Sequence, residues 1–166
     1  MWKKCVRCGK EFEARQPHFK LCPDCFSSPQ HRLTDVSELL LNAYYENEKQ
    51  EEPLKEVYVG IPQQLANIFA NSKPSLGTKQ LRDFHHKVLK ARTKANLKGI
   101  GAAKYILYEC QRDIEYQLKR GVIPQSFAQF MKHHLALAEK DEKSLEGFYQ
   151  HLDSIVCYFP CRKGGG

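Results

Sequence analysis

The stretch from Thr78 to Lys98 constrains this chain more than any other, because its residue spacing fits only a long amphipathic helix. Apolar side chains recur at the i, i+3, i+7 intervals of one buried stripe, which consists of Leu81, Phe84, Val88, Ala91 and Ala95. Cations occupy the opposite side of the helical wheel. We therefore predict a packed helix over residues 78–98 that shows water a basic ridge of Lys79, Arg82, Lys87, Lys90, Lys94 and Lys98.

Positive charge is concentrated in this part of the chain. The 166 residues carry a formal net charge of +7, and residues 73–98 alone hold eight Lys or Arg against one Asp. Residues 34–56 are acidic instead, with seven Asp or Glu against two Lys. A localised basic surface is typical of proteins that bind a polyanion. The simpler interpretation, an ordinary solvated helix face, accounts for the same charges.

A second basic surface is predicted on the next helix, which we place over about residues 102–120. Cations and aromatics share its outer face, namely Lys104, Tyr108, Arg112, Tyr116 and Lys119. Such residues contact phosphates, ribose hydroxyls and base faces, although tyrosines also pack against neighbouring helices. The short link Gly99–Gly101 predicts that the two helices are antiparallel neighbours whose outer faces form one RNA-binding groove.

The N-terminal cysteines predict a structural Zn²⁺ ion, one per chain. Cys5 and Cys8 form one C-x2-C pair, and Cys22 and Cys25 form a second pair after a thirteen-residue gap. Two such pairs present four thiolates to one tetrahedral ion, and iron is a minor alternative. About thirty residues cannot fold on apolar burial alone, so the metal would supply the folding energy. Zinc ribbons serve both as RNA-binding and as protein-docking modules, and both interpretations stay open.

The remaining pattern predicts an all-α fold: a helical bundle of about five to six helices after a small four-cysteine zinc knuckle or ribbon. The domains are residues 1–30 for the zinc module and 31–166 for the bundle. One helix is predicted from Thr34 to about Gln50, with Val36, Leu39, Leu40 and Ala43 buried. Three others follow from the spacing of Leu65 and Phe69, of Phe127 and Met131, and of Leu145 and Phe148.

Several classes of protein are disfavoured. No apolar run is long enough to span a membrane, and the N-terminus MWKKCVRCGK lacks the apolar core of a secretory signal. We therefore expect a cytoplasmic protein, with no membrane partner. The spacing from Arg82 to His85 and His86 is too short for helical ribonucleases of the HEPN class, and neither paired carboxylates nor a Gly-rich phosphate loop appear. We expect no enzymatic activity and no catalytic residues.

Three segments resemble, in the right order, the small subunit of type III-A CRISPR effector complexes, the Csm complexes. Residues 78–84 (TKQLRDF) are similar to the T-x-Q-[LI]-R-x-F segment of that family. Residues 104–112 (KYILYECQR) resemble its K-x3-Y-x3-R helix, and residues 148–159 (FYQHLDSIVCYF) its closing apolar segment. The resemblance covers about residues 60–160, and the cysteine-rich N-terminus departs from most members of the family.

This resemblance implies a non-catalytic helical-bundle subunit that helps to hold target RNA along the guide RNA. It implies several copies beside the backbone and large subunits of the effector complex. Lys79 and Arg82 match the basic positions of the first segment, and Lys104 and Arg112 those of the second. The alternative hypothesis is a free-standing zinc-ribbon RNA-binding or adaptor protein of transcription or ribosome biogenesis.

Overall fold

The computed structural model describes residues 2–5, 11–14, 22–23 and 35–160. The chain divides into two compact units, residues 1–34 and residues 35–166. In the first unit, strands β1 (Trp2–Lys4) and β2 (Glu11–Glu13) pair antiparallel, with Lys3 opposite Phe12. The sequence pattern does not mark these strands, because three residues are too few to show an alternation of polar and apolar side chains.

Five α-helices form the described part of the second unit, residues 35–160, which confirms the predicted helical bundle. The helices are α1 (Ile61–Asn71), α2 (Thr78–Lys98), α3 (Ile100–Lys119), α4 (Gln125–Ala138) and α5 (Glu142–Tyr158). Helix α2 has the bounds that its periodicity predicts, and α3 begins two residues earlier than predicted. Within the described residues, no helix has the length and apolar character that a membrane span requires.

Helices α2 to α5 form a four-helix bundle in which each helix packs against the next and α5 closes against α2. The links are short, since α2 and α3 are joined by Gly99 alone, and neighbours are therefore antiparallel. Gly99 turns the chain with φ of 87°, a conformation that favours glycine. Helix α1 packs on the outside, mainly against α5. Helix α3 thus lies on the far side of the bundle from α1.

Aromatic side chains fill the centre of the bundle. The ring of Phe69 in α1 lies edge-on to Phe127 of α4, at 5.2 Å between centroids, and Phe130 of α4 lies 5.5 Å from Phe69. Phe84 of α2 lies 5.7 Å from Phe127. Burying one such side chain contributes about 1.5–3 kcal/mol. The five apolar residues predicted to form the buried stripe of α2 are all buried, so this core determines which side of α2 faces water.

The predicted helix from Thr34 to about Gln50 is wrong over residues 35–50, which the structure describes. Only Val36–Leu39 forms a short 3₁₀ helix, which Asp35 caps by accepting a hydrogen bond from a backbone N–H two residues on, at 3.1 Å. Leu40 then takes an extended conformation, and Ala43 is exposed although it was predicted to be buried. The predicted start of this helix, at position 34, lies outside the described residues.

Long-range contacts explain why this segment is not helical. Tyr44 is buried, with its hydroxyl oxygen 2.5 Å from Nδ1 of His134 in α4, and its ring lies against the backbone of Gly147 in α5. His133 donates from Nε2 to the carbonyl oxygen of Leu41 at 2.7 Å. These contacts hold the chain in a non-helical path across α4 and α5, and tertiary packing of this kind overrides local helix propensity.

Helix α5 adds a third histidine contact to the same region. His151 is completely buried and donates from Nδ1 to the carbonyl oxygen of Val57 at 2.8 Å. Burial lowers the pKa of His151 to about 4, and it lowers the pKa of His134 well below the ordinary value. The Nε2 atom of each ring is buried with no hydrogen-bond partner in the part of the chain that the structure describes. Both rings are therefore held neutral at pH 7.

The contact between Tyr44 and Gly147 predicts a large effect of a single methyl group. A Cβ atom at Gly147 would lie 2.5 Å from the Tyr44 ring, so Gly147→Ala should lower the free energy of unfolding by about 1–3 kcal/mol, as overpacking does. Gly101→Ala is the matched control, because a Cβ atom there meets nothing within 4 Å and should stabilise the helix by up to about 1 kcal/mol. Urea denaturation measures both; equal effects would contradict this packing.

The neutral histidines predict a loss of stability in mild acid. In the unfolded chain the His151 side chain takes up a proton near pH 6.5, whereas in the folded protein its pKa is about 4. The free energy of unfolding should therefore fall as the pH falls from about 6.5 towards 4, by on the order of 3 kcal/mol for this residue. His151→Asn retains a donor for Val57 but takes up no proton, so the loss between pH 7 and pH 4.5 should shrink. Exposed His86→Asn is the control, and an unchanged pH dependence in His151→Asn would refute the assignment.

Candidate RNA-binding surface

Two of the predicted ridge cations lie in the seam between α2 and α3. Lys87 forms an ion pair with Asp113 of α3, and both side chains are about one-third exposed. Nζ of Lys94 lies 5.9 Å from the centroid of the Tyr105 ring, as a cation–π contact. These contacts confirm that α2 and α3 run side by side in opposite directions. Lys87 therefore makes a structural contact with α3 and is less available on the open ridge.

The other ridge cations point to water. Arg82, Lys90 and Lys98 are exposed, and in the described part of the chain none of them forms an ion pair. Lys79 bonds Asp83 one turn away at 2.8 Å, but its side chain is 84% exposed. An exposed pair of this type contributes only about 0.3–0.5 kcal/mol, so a phosphate can displace the carboxylate. The outer face of α2 therefore presents cations with little internal compensation.

Helix α3 continues this face. Tyr108 and Lys119 are exposed, and the Arg112 side chain is 75% exposed, with Nε 4.0 Å from the nearest Asp113 oxygen. Lys104 is only half-exposed. Tyr108, Arg112 and Lys119 are thus open to water on the helix that packs beside α2, whereas Lys104 is less exposed than they are.

The sequence-based set omits one aromatic residue of this face. Tyr105 is 48% exposed, and its ring is the one beneath Lys94. Tyr116, which shares the predicted face, is 59% exposed with the Arg120 guanidinium 5.5 Å from its ring centroid. The signal for Tyr105 was present, because it stands three residues before Tyr108. Only the position of α3 against α2 shows that this side of the helix is open.

The opposite flank of α2 is structural. Arg92 bonds Glu146 of α5, with Nη2 to Oε1 at 3.0 Å, and its guanidinium lies 4.5 Å from the Tyr149 ring centroid. Burial alone would raise the pKa of Glu146, but hydrogen bonds from Arg92 and Gln150 outweigh it and lower that pKa. His85 bonds Asp153 at 2.9 Å. Arg92 and His85 thus fasten α2 to α5 and do not belong to the basic face.

Cys110 and His134 are reactive side-chain types that lie buried in the interior of the bundle. Burial raises the pKa of the Cys110 thiol to about 12, so this cysteine is no nucleophile at pH 7. Cys157 is exposed near the end of α5, and Cys161 lies outside the described residues. Buried His134 contacts aromatic rings and Tyr44 rather than a carboxylate.

Two of the four predicted zinc ligands lie within the described part of the N-terminal unit. Cys5 and Cys22, one from each C-x2-C pair, are 2% and 4% exposed and belong to one small apolar cluster with Phe12 and Ala14. The other two predicted ligands, at positions 8 and 25, lie outside the described residues. Among those that are described, no three metal-binding side chains come together. The cluster thus brings Cys5 and Cys22, one cysteine from each pair, into the same small core.

Comparison with known proteins agrees with the helical part of this structure. The family model described as Csm2 Type III-A matches residues 51–164. This match spans all five helices of the bundle and therefore includes the whole of α2 and α3. No curated protein and no solved structure matches the chain.

Proposed function

We propose that this chain, which belongs to the Csm2 family of type III-A CRISPR effector complexes, holds target RNA through the outer face of α2 and α3. The observation that carries the proposal is the set of exposed cations on these two adjacent helices. Arg82, Lys90 and Lys98 lie on α2, and Arg112 and Lys119 on α3. A face along α2 is about 30 Å long, which is enough to follow several phosphates of one strand.

The proposal assigns the chain a positioning role and no catalytic residue. Phosphate contacts fix the register of a nucleic acid but carry no base code, so binding to this face should be independent of sequence and should weaken steeply with salt. The proposed partners are target RNA and guide RNA, further copies of this chain, and the backbone and large subunits of the complex. One copy binds weakly, and a row of copies binds tightly through effective concentration.

The alternative of a free-standing zinc-ribbon adaptor is less well supported. It explains the four cysteines and the basic charge, but it gives no reason for the family match over residues 51–164. The effector-complex hypothesis explains that match and the cation face together. Under either hypothesis, the N-terminal unit serves as a separate module with its own metal.

The first test removes single cations from the face. Arg82→Ala and Arg112→Ala should each change the free energy of unfolding by no more than about 0.5 kcal/mol, because both side chains are exposed. In rebuilt effector complexes, each should weaken target-RNA capture and lower the slope of log affinity against log salt by about 0.7. Lys55→Ala is the matched control, since Lys55 is an exposed cation in a segment that packs against α1 and α5.

Single-turnover cutting by the same complexes separates holding from chemistry. Once target is bound at saturation, the Arg82→Ala and Arg112→Ala complexes should cut at the wild-type rate. Capture at wild-type affinity by both variants would refute the RNA-binding face. If a variant complex captures target normally but does not cut it, this chain takes part in catalysis, contrary to the proposal.

We also propose that Cys5, Cys8, Cys22 and Cys25 bind one Zn²⁺ ion per chain. Metal analysis of the purified protein should find about one zinc per chain. Replacing Cys5 and Cys8 by Ser should remove the zinc and unfold the N-terminal unit while the helical signal in circular dichroism persists. Cys157→Ser is the control, because Cys157 lies on α5, and a full zinc content in the Cys5/Cys8 double variant would contradict the assignment.

A further inference from the structure

Three tyrosines of α3 are exposed in a way that the packing of the bundle does not require. Tyr105, Tyr108 and Tyr116 are 48%, 51% and 59% exposed, and in the described part of the chain none of their hydroxyls bonds a protein group. Tyr44 and Tyr45 differ, because the hydroxyl of Tyr44 bonds His134 and that of Tyr45 bonds the Lys143 carbonyl oxygen. The α3 tyrosines thus contribute little to the core that their helix helps to build.

These tyrosines share one line along the helix with two cations. Successive members are three or four residues apart, as neighbours on one helical face are, and the line consists of Tyr105, Tyr108, Arg112, Tyr116 and Lys119. We call these five residues the tyrosine stripe. At 1.5 Å per residue, its outermost rings are about 16 Å apart along the axis. The stripe is therefore long enough to contact several nucleotides of one strand.

Cations lie against two of the three rings of the stripe. Lys94 lies over Tyr105 at 5.9 Å, and Arg120 lies over Tyr116 at 5.5 Å, while Lys90 stands exposed on the adjacent helix. Protein-docking faces favour Tyr and Arg but are depleted in Lys. A surface that combines open aromatic rings with lysines is complementary to a polyanion that also has flat apolar faces. Single-stranded RNA has both properties.

We infer that the tyrosine stripe stacks against unpaired RNA bases, so that this protein selects single-stranded over duplex RNA. The inference rests on the proposed RNA-binding function and adds a substrate class to it. In a duplex, each base is stacked within the helix and offers no face to a tyrosine. The cations of α2 follow the phosphates, and the α3 rings contact the exposed bases of the same strand. Because every base has a π-face, this contact adds affinity without a strong sequence preference.

The test compares RNA that has bases with RNA that lacks them. The full chain is titrated at low ionic strength with an oligouridine of about 16 nucleotides, the upper range of single-strand site sizes. An abasic oligomer of equal length and charge and a duplex of the same length are the comparison ligands. NMR detection records affinities down to the millimolar range. Oligouridine should bind more tightly than either comparison ligand.

Substitutions then assign the difference to the stripe. Tyr108→Leu should weaken oligouridine binding roughly tenfold, as loss of one stacked base does, and should leave binding of the abasic oligomer unchanged. Tyr108→Phe keeps the ring and should bind as the wild type does. Tyr58→Leu is the matched control. Tyr58 is 39% exposed and follows the short 3₁₀ helix Lys55–Val57, which packs on α1 and α5. Melting temperatures verify that each variant is folded.

The outcomes distinguish a failure of the stacking inference from a failure of the proposed RNA-binding function. If Arg82→Ala weakens binding of every ligand while Tyr108→Leu binds as the wild type does, the stacking inference is wrong and the phosphate-binding face stands. If no RNA binds and Arg82→Ala has no effect, the proposed function itself falls. If Tyr108→Leu leaves RNA binding intact but changes the sedimentation of the protein, the stripe contacts another copy of the chain, and the inference is overturned.

Discussion

Burial of one side of α2 against the aromatic centre of the bundle is the constraint on which the rest of the structure depends. Phe84 reaches Phe127 of α4, and Leu81, Val88, Ala91 and Ala95 are almost completely buried beside it. Once that side is buried, the helical period fixes the direction in which every other side chain of α2 points. Residues on its two flanks meet α3 and α5, and residues on its outer side meet water.

The cations of α2 differ in role because of these three directions. Arg92 faces α5 and is held by Glu146, whereas Lys87 and Lys94 face α3 and contact Asp113 and Tyr105. Removing a flank cation leaves a partner unpaired and disturbs helix packing. Removing an outer cation changes only the potential that a phosphate meets. A set of Lys and Arg that looks uniform in sequence thus contains residues for assembly of the bundle and residues for contact with a ligand.

Neutral histidines have a comparable structural role at the other side of the bundle. His134 and His151 bond Tyr44 and the Val57 carbonyl, so the acidic segment before α1 is attached to α4 and α5 by groups that carry no charge. Burial accounts for their lowered pKa values. The described part of the acidic segment packs mainly against α1, α4 and α5.

The sequence by itself determined those elements whose stability comes from a regular pattern. The bounds of α2 and its buried stripe follow from apolar spacing, since a helix of 21 residues with one apolar side has a single favourable way to pack. The resemblance to the Csm small subunit rested on short segments within the range that the family model matches. Tertiary structure decided where contacts between distant residues compete with local preference. Residues 40–45 look helical, yet Tyr44 is held by His134 and Gly147, each far away in the sequence. Likewise, no local pattern distinguishes Lys87, engaged by Asp113, from Lys90, which is not, because only the position of α3 against α2 separates a seam from an open face.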